Sequence, residues 1–363
     1  MLIRYQKGPD GKPVKKAVVY INSEHGINKA DIDRDAFWIV ERLQKAGFSA
    51  YIVGGAVRDL LLGRIPKDYD IVSDAEPKAI KKLFYRSRII GRRFRLVHVH
   101  VGKRIFEIST FRSIANGSVG NTYGNMDEDA KRRDFSINAL YFDPVDSKLV
   151  DYVGGLKDLR AGKLRAIIPL SRIFNEDPVR MIRAVKYSMI TGFSIPLRTR
   201  LYIKMNAGLL ADISNSRLGE ELVKILYSGK ARGILELLNA YGLLKCILPG
   251  MSAAFDGPLA QAMKHALDEL DAYILESGDK TLRFLLAFII RFAVEQSSQK
   301  EAEDLQKAFR YAVDAAKEFL YPLAMPRAEL EAAVRLVFRA AEPKAAKRNK
   351  RRRRPKADIA KHL

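Results

Sequence analysis

The spacing of apolar residues changes near the middle of the chain. In the first half, short β-branched and aromatic runs alternate with short amphipathic segments. These predict strands and helices at 33–47 (helix), 51–53, 57–62 (helix), 69–72, 77–85 (helix), 96–101 and 105–110. From residue 175 onward nearly every segment has helical periodicity. The pattern predicts an α+β protein, with a small mixed-sheet head followed by a mainly α-helical neck and body.

Changes in composition suggest where the segments of the chain meet. Residues 1–29 are rich in Lys, Gly and Pro and contain one strand-like run at 17–21, so we expect a flexible arm. The last twenty residues contain ten Lys or Arg against one Asp, which is typical of a disordered tail. We therefore expect an arm, head, neck, body and tail at 1–29, 30–155, 156–250, 251–343 and 344–363.

The formal net charge of the 363 residues is +22, which favours a polyanionic partner such as RNA or DNA. Charge alone leaves two alternatives: a basic protein without such a partner, or a protein that binds anionic lipid. The single Cys246 excludes an intramolecular disulfide, and five scattered histidines argue against a zinc site. The N-terminus lacks a signal-peptide core and the apolar run 284–290 is ended by Arg291, so we expect a cytoplasmic protein and no membrane partner.

Asp68 and Asp70 flank Tyr69 in a predicted strand. Strand alternation places both carboxylates on one face, where they offer oxygen ligands to Mg²⁺. A pair of such ions stabilises the attacking and leaving oxygens in phosphoryl transfer. In isolation, most Asp-x-Asp pairs are solvated strand ends.

Gly54 and Gly55 end the preceding strand, where bare backbone N–H groups can approach a phosphate closely. Arg58 lies one turn further on and offers a guanidinium to a phosphate oxygen. Taken alone, these residues are also typical of a tight turn followed by a surface arginine.

The segment 51–72 resembles the first signature of the nucleotidyltransferase head in the DNA polymerase β superfamily. The resemblance is to the class that unites bacterial poly(A) polymerases with bacterial and eukaryotic CCA-adding enzymes. It implies that Asp68 and Asp70 bind two catalytic Mg²⁺ ions and that a nucleoside triphosphate is the substrate.

The segment 127–144 is similar to the second signature of this class, whose core contacts the ribose and triphosphate of the nucleotide. The core positions are Arg132, Arg133, Asp134, Phe135 and Asn138. A guanidinium suits the triphosphate, while a carboxylate and an amide suit ribose hydroxyls. Without the resemblance, the triplet Arg132-Arg133-Asp134 is typical of a helix start with an ordinary salt bridge.

Two carboxylates compete for a third catalytic position. Glu107 lies among apolar strand residues, where an unpaired charge is costly and needs a cation or donor. Asp127 opens the second signature. We favour Glu107 as the metal ligand and keep Asp127 as the alternative catalytic acid.

Glu176, Asp177 and Arg180 match the base-selecting motif of the class. We expect them to open one helix at Asn175, with Pro178 in its first turn, so that the carboxylates and the guanidinium share a face. Without the resemblance, the same residues are equally typical of an intrahelical ion pair with no role in binding.

The segment 89–99 resembles the stretch that distinguishes bacterial poly(A) polymerases from CCA-adding relatives. This implies template-independent polyadenylation of RNA 3′ ends from ATP, in RNA processing and turnover, with CCA addition to tRNA as the alternative. A noncatalytic RNA-binding protein with this fold is a further alternative. Such a protein would lack the catalytic carboxylates, whereas Asp68, Asp70 and Glu107 are all present. The RNA-binding residues expected in this loop and in the tail are Arg92, Arg93, Phe94, Arg95, Arg351, Arg352, Arg353 and Arg354.

Overall fold

The structure is a computed structural model that describes residues 2–7, 13–91, 95–114, 122–276, 281–298 and 305–341. Contacts divide the described chain into two compact units. The first runs to Asp177 and includes 193–196, and the second comprises 178–192 and the residues from Leu197 onward.

The first unit is built on one nine-stranded sheet. Its strands are β1 Leu2–Lys7, β2 Pro13–Tyr20, β3 Ala50–Val53, β4 Asp70–Ser73, β5 Ser87–Ile90, β6 Leu96–Val101, β7 Arg104–Thr110, β8 Leu140–Asp143 and β9 Lys148–Asp151. Their order is β1-β2-β9-β8-β3-β4-β7-β6-β5. β4 and β7 are parallel and all the other pairs are antiparallel. The predicted mixed sheet is confirmed.

The N-terminal residues correct the expectation of a flexible arm at 1–29. β1 and β2 pair with each other, and β2 continues the sheet by pairing with β9. Ala17, Val18 and Val19 are buried in the core, and this burial is what attaches the segment.

Seven helices of the described chain accompany the sheet: α1 Asn22–His25, α2 Arg34–Lys45, α3 Gly55–Leu61, α4 Pro77–Leu83, α5 Met126–Arg132, α6 Gly155–Arg160 and α7 Leu170–Glu176. As predicted, Asp33 caps α2, since its carboxylate accepts the backbone N–H groups of Asp35 and Ala36. A 3₁₀ helix at Ser136–Asn138 lies between α5 and β8.

The second unit is helical throughout its described residues. Its helices are α8 Val179–Thr191, α9 Leu197–Met205, α10 Asn215–Leu226, α11 Ala231–Ala240, α12 Leu243–Ile247, α13 Pro249–Asp256, α14 Ala260–Glu276, α15 Leu282–Ser298, α16 Leu305–Leu320 and α17 Arg327–Ala341. A buried ion pair joins α8 to α10, with Lys186 Nζ 2.5 Å from Glu221 Oε2. None of the described helices is long and apolar enough to span a membrane.

The division into units differs from the expected boundaries at 155/156 and 250/251. α6 belongs to the first unit because it packs on the 3₁₀ helix, so closely that a Cβ atom at Gly155 would collide with the Ser136 carbonyl oxygen. The Asp151 carboxylate at the end of β9 accepts backbone N–H groups of residues 153–156 and holds this approach in place. No boundary falls at 250, since α12 and α13 pack together in the second unit.

Candidate active site

The carboxylates of the first signature lie at the start of β4. Asp68 and Asp70 are exposed and Tyr69 between them is buried, which is the predicted alternation. The Tyr69 hydroxyl accepts the Asp33 backbone N–H and donates to the Asp31 carbonyl, both at 3.2 Å. This anchor fixes the backbone that presents the two aspartates.

Glu107 lies directly beside Asp70, since the parallel pairing of β4 with β7 brings these two residues into register. The expectation that Glu107 is buried among apolar residues is wrong, because its side chain is 55% exposed and its immediate neighbours Phe106 and Ile108 face the other side of the sheet. His98 on β6 lies on its other flank, with Nε2 3.2 Å from Glu107 Oε1. Glu107 is a candidate metal ligand because it is in register with Asp70, and not because it is buried.

Gly54 leaves space between a carboxylate and a guanidinium. A Cβ atom at this position would lie 3.5 Å from Asp70 Oδ2 and 3.7 Å from Arg133 Nη1. Its φ of +71° also favours glycine. Gly55, which begins α3, has the Arg58 guanidinium as its nearest neighbour. Gly54 therefore lies near a carboxylate of the first signature and a guanidinium of the second, and its positive φ is what favours glycine there.

Arg133 is held by two groups that the sequence analysis did not single out. Its guanidinium donates to Asp129 Oδ2 at 3.0 and 3.1 Å and to the Tyr141 hydroxyl at 3.2 Å. Tyr141 in turn donates to Asp129 at 2.7 Å. Burial raises the pKa of Asp129, but Arg133, Tyr141 and Arg132 outweigh this and keep that pKa below its ordinary value.

Three arginines, at positions 112, 132 and 133, lie around Asp129. Burial and the neighbouring Arg132 lower the pKa of Arg112 to about 10, against the attraction of Asp129. Arg133 adds further repulsion. A cluster of three arginines around one carboxylate suits an anionic ligand with several charges, such as a triphosphate.

Arg58, Asn138 and Asp134 form a buried chain, with each residue at most 6% exposed. Arg58 Nη1 donates to Asn138 Oδ1 at 3.1 Å, and Asn138 Nδ2 donates to Asp134 Oδ1 at 3.4 Å. Arg133 Nη1 donates to the Asn138 carbonyl at 3.3 Å, which joins this chain to the Asp129 cluster. Arg58 is thus not a surface arginine.

Asp127 has a different environment from Glu107. Its side chain is 13% exposed and pairs with Lys131, whose Nζ lies 2.9 Å from Asp127 Oδ1. The two residues are four apart on α5, but only Lys131 is exposed, and Asp127 Oδ1 is buried.

We predict that Glu107→Gln lowers kcat for nucleotide addition about a hundredfold or more, because the loss of an expected ligand to the metal ions would cost several kcal/mol. Asp127→Asn is the matched variant and stays within a few-fold of the wild type, because Lys131 already compensates its charge. Single-turnover assays at saturating ATP and RNA measure both. The opposite order would assign the third position to Asp127.

The base-selecting motif corrects the prediction of one helix opening at Asn175. α7 ends at Glu176, Asp177 is extended with φ −153° and ψ 92°, and α8 begins after Pro178. The proline is the cause, since it has no N–H to donate and restricts the residue before it to extended conformations. Glu176 therefore lies on α7, where it pairs with Arg172 at 2.7 Å, and does not share a helix face with Arg180. Asp177 and Arg180 are buried.

The residues expected to bind RNA are only partly within the described chain. Arg95 is exposed immediately before β6. Arg92, Arg93 and Phe94, like the arginines of the tail at 351–354, lie outside the described residues.

The donor set fits Mg²⁺ in its chemistry. Asp68, Asp70 and Glu107 offer only oxygen ligands, and Mg²⁺ is commonly held by one or two carboxylates together with substrate phosphates. Within the described part of the chain, no three His, Cys, Asp or Glu side chains already converge as a metal site. Oxygens of a bound triphosphate would have to complete the coordination.

Family models match both units. Residues 50–165 match "Poly A polymerase head domain", and residues 192–255 match "Probable RNA and SrmB- binding site of polymerase A". Poly(A) polymerase I of Escherichia coli O6:H1 is 36% identical over 337 residues, covering 86% of this chain and 72% of the relative. The CC-adding tRNA nucleotidyltransferase of Halalkalibacterium halodurans is 37% identical over 222 residues, covering 61% of this chain and 56% of the relative.

Among solved structures, the CCA-adding enzyme of Bacillus stearothermophilus in complex with CTP is similar, with 27% identity and a TM-score of 0.57. The match covers 85% of this chain and 82% of that one. The mixed sheet, the carboxylates in register and the arginine cluster define a nucleotidyltransferase. The chain belongs to the family of bacterial poly(A) polymerases and CCA-adding enzymes.

Proposed function

We propose that the protein adds adenylate from ATP to RNA 3′ ends without a template and releases pyrophosphate, in RNA processing and turnover. The observation that carries the proposal is the arrangement around Gly54, where Asp70 and Arg133 approach each other and Glu107 lies next to Asp70. This arrangement supports the proposal, because carboxylates suited to metal ions lie near a guanidinium suited to a triphosphate. The relatives named as poly(A) polymerase support ATP as the nucleotide.

Asp68, Asp70 and Glu107 would hold two Mg²⁺ ions, which supply charge stabilisation to the reacting oxygens when bound. Arg133 binds the triphosphate. Gly54 and Gly55 allow close approach of the backbone to it.

The buried chain of Arg58, Asn138 and Asp134 orients this part of the pocket. We propose that Asp134 and Asn138 give the preference for a ribonucleotide, Asn138 through its position between Arg58 and Arg133. Arg58 acts by fixing the Asn138 amide, because its own guanidinium already donates to that residue.

We propose that Glu176, Asp177 and Arg180 select the base, as the resemblance to the base-selecting motif of the class implies. Adenine presents an amino donor to Asp177 and the N1 acceptor to Arg180. Cytosine presents a similar pair, so hydrogen bonding separates the two bases weakly. The larger adenine must be favoured by pocket depth and stacking.

RNA 3′ ends are the second substrate. The match to a model described as an RNA-binding site supports this, as does the net charge of +22. We propose that Arg92, Arg93, Phe94 and Arg95 contact this RNA, together with the tail arginines at 351–354. We also place the protein in the cytoplasm, where ATP and RNA are available.

The experiment offers each NTP separately, with Mg²⁺, to a generic single-stranded RNA and to a tRNA that lacks its 3′ CCA. We predict long A additions to the generic RNA and little use of CTP, UTP or GTP. Arg180→Ala lowers the rate and raises misincorporation, because it removes one of two hydrogen bonds to the base. Addition of C, C and A to the tRNA followed by a stop would instead establish the CCA-adding alternative.

A further inference from the structure

Four charged or polar residues form a row across one face of the sheet. Arg88 on β5 is in register with His98 on β6, His98 with Glu107 on β7, and Glu107 with Asp70 on β4. Residues opposite each other on neighbouring strands face the same side. With strands about 4.8 Å apart, the row leads in three steps, about 14 Å, from the catalytic carboxylates to the edge strand β5.

The edge where this row ends is strongly basic. Residues 78–90, which cover most of α4 and all of β5, contain five Lys or Arg and no Asp or Glu. The five cations are exposed, and none pairs within 4.0 Å with a carboxylate of the described residues: Lys78, Lys81, Lys82, Arg86 and Arg88. Other exposed cations of the first unit, such as Lys45 and Lys131, do have such partners.

Tyr85 lies among these cations between α4 and β5, and it is 99% exposed. The preceding Phe84 is 3% exposed and packs against Trp38. The chain therefore buries one aromatic ring and leaves the next one in solvent. An exposed ring beside cations is the arrangement that stacks a nucleobase while phosphates are neutralised nearby.

We propose that this α4–β5 edge, defined as Lys78, Lys81, Lys82, Tyr85, Arg86 and Arg88, binds the single-stranded RNA segment that precedes the reacting 3′ nucleotide. The inference rests on the proposed function. The row from Arg88 to Asp70 connects the edge to the carboxylates, so a strand whose 3′ hydroxyl lies at Asp70 and Glu107 can follow it outward. The family model described as RNA-binding covers residues 192–255, so the edge is a separate surface.

RNA fits the edge better than an acidic protein does. The cations have no apolar patch between them except one aromatic ring, and a ring that is fully exposed offers both faces to a base. The edge is also continuous with the row that leads to Asp70. This favours RNA, because RNA is the ligand whose 3′ end reacts at the carboxylates.

The test uses the full chain with a labelled single-stranded oligoadenylate, measuring fluorescence anisotropy over a range of KCl concentrations. Lys81→Gln/Lys82→Gln lowers the affinity and reduces the salt slope by about 0.7 for each phosphate that the variant no longer neutralises. The matched control is Lys157→Gln/Lys163→Gln, which removes two exposed cations after β9, far from β5 in the strand order. The control variant also has a lower net charge, which changes the salt slope slightly. Its slope therefore stays closer to the wild-type slope than that of the Lys81/Lys82 variant.

Tyr85 separates stacking from charge. Tyr85→Ala weakens binding roughly fivefold or more, with an unchanged salt slope, and Tyr85→Phe retains the wild-type affinity. The KM for RNA rises in Tyr85→Ala while the KM for ATP does not. Thermal melting shows whether each variant is folded, as expected for exposed positions.

Wild-type affinity and salt slope in both the lysine and the Tyr85→Ala variants would overturn the inference, even where the wild type polyadenylates RNA. A wild type that adds no adenylate to any RNA, yet shows the expected decreases of RNA affinity in these variants, would instead overturn the proposed function and leave the RNA surface standing.

Discussion

Asp70→Asn abolishes nucleotide addition, with kcat reduced by about three orders of magnitude or more. The substitution keeps the size of the side chain and removes the negative charge that the proposed metal site needs. Stabilisation of transferring phosphoryl oxygens by bound ions contributes several kcal/mol, and each 1.4 kcal/mol is a factor of ten in rate. Single-turnover rates at saturating ATP and RNA measure the effect.

Two controls separate this effect from a general effect of charge. Asp146→Asn removes an exposed carboxylate that pairs with Lys148 in the same unit, and it leaves the rate unchanged. RNA affinity of Asp70→Asn stays near that of the wild type, since the basic surfaces are intact. Residual addition within tenfold of the wild type would refute the metal-binding role of Asp70.

Local patterns are sufficient to predict much of the sheet. The strand at Leu96–Val101 and its turn at Gly102 are predicted at the residues where the structure has them. The strand-like run at 17–21 is recognised, but β1, the start of β2 at Pro13 and the attachment of both strands to the sheet are missed for a physical reason. β2 contains two lysines and joins the sheet by pairing with β9, some 130 residues further along the chain. Such non-local pairing leaves little signal in the local sequence.

The site shows the same limit. Alternation places Asp68 and Asp70 on one face, but the position of Glu107 next to Asp70 follows from the parallel pairing of β4 with β7, which spacing does not reveal. Glu107 is not buried among its apolar neighbours, because β7 has an exposed face that carries it. By contrast, Pro178 does carry a usable signal: a proline restricts the residue before it, which predicts a helix break at Asp177.

Asp129 illustrates what a motif leaves out. Three carboxylates, at 127, 128 and 129, begin α5, and nothing in their spacing distinguishes them. In the structure only Asp129 is buried, because its side chain points to Arg133 and Tyr141. It holds the guanidinium that lies near Gly54, so we expect it to connect the stability of the fold to the proposed nucleotide binding.

We predict that Asp129→Asn lowers the free energy of unfolding by about 3–5 kcal/mol, the usual cost of removing one partner from a buried ion pair. Arg133 then loses this carboxylate partner, while Arg112 still repels it. Urea unfolding at neutral pH measures the decrease. Tyr141→Phe is the matched variant, since it removes the hydroxyl that donates to the same carboxylate and accepts from Arg133, and it costs about 2 kcal/mol.

The pH dependence of this decrease has a definite sign. The pKa of Asp129 is lower in the folded protein than its ordinary value of 3.8, because Arg133, Tyr141 and Arg132 together outweigh the effect of burial. Its stabilising contribution is therefore complete above pH 3.8 and disappears as the pH falls through the lowered pKa. The difference in unfolding midpoint between wild type and Asp129→Asn should be constant around neutrality and narrow in acid. A difference that widens below pH 3.8 would show that Asp129 is not the charged partner of Arg133.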